Sequence, residues 1–139
     1  MNQLGQRRQL NPPRPCLKFR MSQSTTNPPS PNAPARKIRV LLADDHVIVR
    51  QGLRAVLQAE PDIEVVDLVA SDGWLAIEIA RRQQPDVVIM DVQLRGMDGV
   101  EATQTIVREL PRIKVIGLSM DPHRAEAMLQ AGACEFLTK

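Results

Sequence analysis

Cysteine, acid near the N-terminus and long apolar runs are what this sequence lacks. Only Cys16 and Cys134 occur in 139 residues. They lie far apart in unlike contexts, which argues against a disulfide framework and for a reducing compartment. No stretch approaches the apolar run of about 20 residues that crosses a bilayer, so no membrane span is expected. The basic N-terminus is not followed by an apolar segment and does not read as a secretory signal; the cytoplasm is the expected location. Acidic residues are missing altogether from positions 1–39, which carry eight basic ones, Arg7, Arg8, Arg14, Lys18, Arg20, Arg36, Lys37 and Arg39. The remainder holds ten basic and all sixteen acidic residues. This split marks a basic tail and an acidic domain as separate objects.

Residues 1–35 also hold seven of the eleven prolines and show no apolar period. A segment of that composition buries too little to order itself. Residues 1–36 are therefore read as a disordered, proline-rich basic tail and residues 37–139 as the folded domain. A solvated leader is the plain reading of the tail's charge; contact with nucleic acid or anionic lipid is the alternative. Met21, with the polar run Ser22-Gln23-Ser24-Thr25-Thr26 after it, is read as the true start.

From Ile38 the pattern changes. Ile38–Ala43 is a short apolar run ending in charge, a buried-strand signal. Val49, Leu53, Val56 and Leu57 follow at helical spacing, and Pro61-Asp62 ends that helix. Ile63–Ala70 reads as a second strand. Ser71 is placed to cap a helix carrying Ala76, Ile79 and Ala80 on one face, stopped by Pro85. Val87–Met90 is a third strand, apolar throughout, as expected when both sheet faces are covered. Val100, Thr103, Ile106, Val107 and Leu110 predict a third helix, Ile113–Leu118 a fourth strand, Pro122–Ala131 a fourth helix and Cys134–Leu137 a fifth strand. Strict alternation with short connections predicts an α/β fold, one doubly wound parallel sheet of five strands.

Ligands of such sheets bind beyond the carboxyl ends of the strands. The first strand delivers Asp44 and Asp45 there, the third Asp91, the fourth Ser119 and the fifth Lys139. Three converging carboxylates repel one another, and a hard divalent cation, Mg2+ for an oxygen-only set, relieves that repulsion. A carboxylate can attack phosphorus, and a hydroxyl and an ammonium are the right donors for the remaining phosphoryl oxygens. Each residue alone is a weak signal; their placement at one sheet edge is a strong one.

From Ile38 to Lys139, about three-quarters of the chain, the sequence resembles the receiver domain of bacterial two-component response regulators. The likeness rests on Leu41-Leu42-Ala43-Asp44-Asp45-His46, Asp86-Val87-Val88-Ile89-Met90-Asp91 with Gly96-Met97-Asp98-Gly99, Leu118-Ser119-Met120, and Gly132-Ala133-Cys134-Glu135-Phe136-Leu137-Thr138-Lys139. The run Asp45–Leu53 is most similar to the NarL/FixJ type, whose members usually carry a LuxR-like DNA-binding output domain. The resemblance implies a flavodoxin-like sheet of order 2-1-3-4-5, and phosphorelay signalling with Asp91 as acceptor from a sensor histidine kinase. It further implies Mg2+ held by Asp45, Asp91 and the backbone carbonyl of Gln93, with Asp44 acting through a metal-bound water. Ser119 and Lys139 would bind the phosphoryl group, and Phe136 would be the aromatic switch. The chain would be a phosphoryl acceptor rather than an enzyme, with self-dephosphorylation and a homodimer left open, and it would reach DNA only through an output domain absent from this chain.

Two departures from the family pattern stand out. Arg95 replaces a proline common before Gly96 and is expected to loosen that loop. The sequence ends where a receiver normally continues into a fifth helix, so it is read as truncated after the fifth strand and marginally stable. Rival readings remain. A haloacid-dehalogenase-like phosphatase needs an acid two residues past the nucleophile, where Gln93 stands. A degenerate receiver serving only as an interaction module is the other. His46 and His123 are read as surface or loop residues, and Trp74 as a partly exposed packing residue.

Overall fold

A computed structural model describes residues 34–139; Met21 and nearly all of the expected tail lie outside the described residues. Strands and helices alternate as β1 (Ile38–Ala43), α1 (Val47–Gln58), β2 (Ile63–Val65), α2 (Gly73–Gln83), β3 (Val87–Asp91), α3 (Gly99–Glu109), β4 (Lys114–Ser119), a 3-10 turn (Pro122–Arg124), α4 (Ala125–Gln130) and β5 (Glu135–Thr138). All strand pairs are parallel and the sheet order is β2-β1-β3-β4-β5. This is the flavodoxin-like arrangement expected.

Alternation along each strand divides the core in two. Leu41 and Ala43 of β1, Val88 and Met90 of β3 and Val115 of β4 point to one face. There they meet Ala76, Ile77 and Ala80 of α2, Ala102 and Ile106 of α3, and Met128 of α4. Val40, Leu42 and Val65 point to the other face and pack with Leu53 and Leu57 of α1 and with Val87 and Ile89. The first face is fully roofed. On the second, α1 contributes no buried residue.

Several elements differ from expectation for local reasons. Ile63–Val65 is the whole of β2, shorter than the predicted run to Ala70. As an edge strand it has β1 alone to pair with, and past Val66 the chain turns so that Asp67 reaches Arg54 of α1 at 2.6 Å. Ala70 returns only as an isolated bridge to Ala43. The cap of α2 is Asp72, not Ser71: its carboxylate accepts the Leu75 N–H at 2.8 Å, a charge-assisted bond the serine hydroxyl would not match. The predicted fourth helix opens as the 3-10 turn, capped by Asp121 through the His123 N–H, before α4 begins. Val56 was expected on the inner face of α1 yet is 68% exposed. It lies about 60° round the helix from Leu53, at the edge of the apolar stripe.

One close approach ties α3 to the site. A Cβ added at Gly99 would stand 2.0 Å from the carbonyl oxygen of Asp91, so only glycine lets the start of α3 press against the end of β3. Asp98 caps α3 by accepting the Val100 N–H at 2.7 Å and binds Arg124 at 2.8 Å, linking that end of α3 to the segment before α4.

Candidate functional site

The carboxyl ends of β1, β3, β4 and β5 converge. Asp91 closes β3, one of the central strands, and is 2% exposed; Asp44 follows β1 and is equally buried. The ladder extends past the regular strands to hold them. Asp44 N–H donates to Ala70 O at 3.1 Å, Val92 N–H to Leu118 O at 3.0 Å, and Lys139 N–H to Ser119 O at 2.8 Å. Asp91 Oδ1 accepts the Gln93 N–H at 3.1 Å, which places residue 93 at the rim of the cluster.

Lys139 is the cation built into the site. Its side chain is 9% exposed, with Nζ 2.9 Å from Asp91 Oδ2 and 2.8 Å from Asp44 Oδ2. The first contact is a hydrogen bond; the second has the distance of an ion pair but not the angles of a hydrogen bond, and Asp44 Oδ2 stays buried without a hydrogen-bonding partner. Burial pulls the Lys139 pKa down, but the hydrogen bonds and charges of Asp44 and Asp91 outweigh it and raise it above the ordinary lysine value. Buried ammonium and buried carboxylates hold each other charged.

One ammonium does not balance three carboxylates. Ligand atoms of Asp44, Asp45, Asp91 and His46 lie within 4.8 Å of one another, and Asp45 Oδ1 is also buried without a hydrogen bond. Hard oxygen donors, a net local deficit of positive charge and orphaned buried oxygens together fit a divalent cation such as Mg2+. Ser119, 1% exposed, ends β4; its Oγ accepts the Asp121 N–H at 3.1 Å. Phe136 packs partly buried against the main core, with Cδ2 close over Gly117.

Every site residue read from the sequence thus falls at or beside this edge. Two more residues stand there that the sequence reading did not place. His46 is the N-cap position of α1 but makes no side-chain cap; its ring turns to the acids, with Nδ1 2.9 Å from Asp45 Oδ1, 3.1 Å from Asp44 Oδ1 and 3.7 Å from Asp91 Oδ2. Arg95, expected only to loosen its loop, bridges to Asp72 and sets Nε 3.4 Å from Asp45 Oδ2. Its nearness to a catalytic-type acid is invisible in sequence because it depends on the path of the loop after β3. His123 has no such neighbours; it lies exposed in the 3-10 turn. Trp74 is 67% exposed on α2.

Comparison with known proteins follows the same outline. Residues 40–139 match the response regulator receiver domain. The chain belongs to that family. The receiver is 48% identical over 104 residues to the transcriptional regulatory protein LiaR of Bacillus subtilis (strain 168), covering 73% of this chain and 49% of LiaR. It is similar to a LuxR-family two-component response regulator from Aurantimonas sp. SI85-9A1, at 34% identity and TM-score 0.70, over 74% of each chain. It also resembles the receiver domain of a sensor histidine kinase from Pseudomonas aeruginosa PAO1, solved with magnesium in its active-site cleft. That match has 29% identity and TM-score 0.65, over 74% of this chain and 85% of that one. The chain spans about half the length of the LiaR-like relatives. The NarL/LuxR-type likeness read from Asp45–Leu53 agrees with these relatives, and two-component phosphorelay signalling is the family's work. Among the described residues no helix is long and apolar enough to cross a membrane.

Proposed function

We propose that Asp91 accepts a phosphoryl group from the phosphohistidine of a sensor histidine kinase, forming an aspartyl phosphate that changes the surface of the domain. One observation carries this reading: the buried Asp91 carboxylate sits at the sheet's carboxyl edge with Lys139 Nζ 2.9 Å from Oδ2 and two further acids alongside. A carboxylate so placed is a nucleophile toward phosphorus, and Lys139 is set to follow the charge onto the phosphoryl oxygens as the bond to the donor breaks.

In this reading Asp45, Asp91 and the Gln93 carbonyl hold Mg2+, and Asp44 holds a metal-bound water. Bound there, Mg2+ neutralises the incoming phosphoryl charge, and the magnesium in the Pseudomonas receiver supports the assignment. Ser119 donates its hydroxyl to a phosphoryl oxygen. Phe136 turns into the space that Ser119 leaves, so the switch is a population shift between two packings. Asp91 is an acceptor rather than a turnover catalyst. Residues 37–139 act as the receiver and 1–36 as a basic tail, in the cytoplasm. By analogy with LiaR, the whole protein regulates transcription, with a homodimer and an output domain as the means of reaching DNA.

The test is incubation with acetyl phosphate and Mg2+, followed by intact-mass measurement. A gain of one phosphoryl group that Asp91→Asn abolishes supports the reading. A folded protein that gains nothing under these conditions makes the domain an interaction module instead.

A further inference from the structure

The imidazole of His46 has no place in the reading above, yet it leans over the acid cluster. Ligand atoms around one ion at about 2.0–2.2 Å are about 2.9–3.4 Å apart when adjacent, in octahedral or tetrahedral shells. His46 Nδ1 lies 2.9 Å from Asp45 Oδ1 and 3.1 Å from Asp44 Oδ1, which are separations of neighbouring ligands. Its 3.7 Å to Asp91 Oδ2 is still shorter than the roughly 4.2 Å across an octahedron of that size. Asp44, 2% exposed, aims an Oδ2 without a hydrogen-bonding partner into the same space. The backbone fixes this arrangement: His46 N–H donates to Asp44 Oδ1 at 2.7 Å, so the ring starts from a position one residue past the acids and directly above them.

We propose that His46 adds an imidazole ligand to the acid cluster, so that the site favours a borderline first-row divalent ion such as Co2+ or Zn2+ over Mg2+. The inference rests on the metal-binding reading above and adds a ligand and a preference to it. Imidazole suits the borderline ions, whereas Mg2+ takes oxygen and dehydrates reluctantly. Any nitrogen- or oxygen-lined site binds Co2+ more tightly than a hard ion, so the preference itself proves little. What identifies the imidazole is the change in preference when it is removed.

The test is metal titration of the 139-residue protein and of His46→Ala, with Co2+ and with Mg2+, by calorimetry and by the visible absorption of bound Co2+. His46 is 61% exposed in its side chain, so the variant is expected to fold, which far-UV circular dichroism checks. The expected result is a fall of about tenfold or more in Co2+ affinity, the size that even outer-shell losses reach, with a shifted Co2+ absorption band and little change in Mg2+ affinity. If His46→Ala alters both affinities by the same factor, or raises both, the ring merely occupies the place of a cation and the inference fails while the metal-binding reading stands. If neither ion binds the unsubstituted protein, both fail. Asp45→Asn, which removes a shared carboxylate, should weaken both ions together.

Discussion

The ammonium of Lys139 donates a hydrogen bond to Asp91 Oδ2 at 2.9 Å across 48 positions of sequence, and the same ammonium stands 2.8 Å from Asp44. It is the internal counter-ion of the site. Replacing it with an isosteric apolar side chain, Lys139→Met, leaves two buried carboxylates facing each other. Breaking a buried pair from one side costs about 3–5 kcal/mol; the figure belongs at the lower end here because solvent reaches part of the site. A divalent cation should substitute for the lost charge. Urea unfolding of the variant is therefore expected to show a loss that saturating Mg2+ largely restores, and an equal deficit with and without Mg2+ would contradict the counter-ion role.

The same contact has an alkaline signature. The folded pKa of Lys139 is raised above its ordinary value of 10.5, so the folded state holds this proton more tightly than the unfolded chain. The stability it contributes is present in full below pH 10.5 and is lost as pH rises through the higher folded value. In metal-free protein, the urea midpoint should fall above that pH more steeply than in Lys139→Met. Parallel alkaline limbs for the two proteins would place the proton elsewhere.

Gly99 should be intolerant in a way its helix position does not suggest. Within a helix, glycine to alanine ordinarily gains up to about 1 kcal/mol. Here the new Cβ would stand 2.0 Å from the Asp91 carbonyl oxygen and 2.9 Å from its carbonyl carbon, and backbone must move. Gly99→Ala is expected to destabilise by on the order of 1–3 kcal/mol, the usual size of overpacking, and to slow phosphoryl acceptance because the displaced atoms belong to Asp91 itself. A stabilised variant in thermal unfolding would show that α3 moves away freely.

Much of this was legible before the fold was seen, for identifiable reasons. The apolar runs 38–43 and 87–90 are strands because nothing polar interrupts them, and the acids that end them must share an edge once the sheet is parallel. The relation of Asp44, Asp91, Ser119 and Lys139 follows from that topology alone. What could not be read depends on side-chain direction or on competition between neighbours. Asp72 displaced Ser71 as a cap because the carboxylate makes the stronger bond to Leu75. His46 looked like a loop residue because nothing in its spacing says that the ring turns back over Asp44 and Asp45. Arg95 differs from the family pattern in sequence, but its approach to Asp45 comes from the loop after β3.

The last prediction concerns the sheet face under α1. Val87, Ile89 and Ile116 are only partly buried there, and Leu137, whose register partner is Leu118, is 50% exposed. The exposed Val56 of α1 borders the same region. Covering such a face normally contributes about 1.5–3 kcal/mol per side chain, and a domain's whole stability is only 5–15 kcal/mol. Three or four uncovered side chains therefore remove much of the margin. The 139-residue chain is expected to unfold in urea with a free energy at or below about 5 kcal/mol and to self-associate as concentration rises. Leu137→Gln should reduce that association, read by light scattering, with little loss of stability because half of that side chain already faces water. A highly stable monomer with a steep urea transition would mean that α1 and its neighbours close this face better than their exposures suggest.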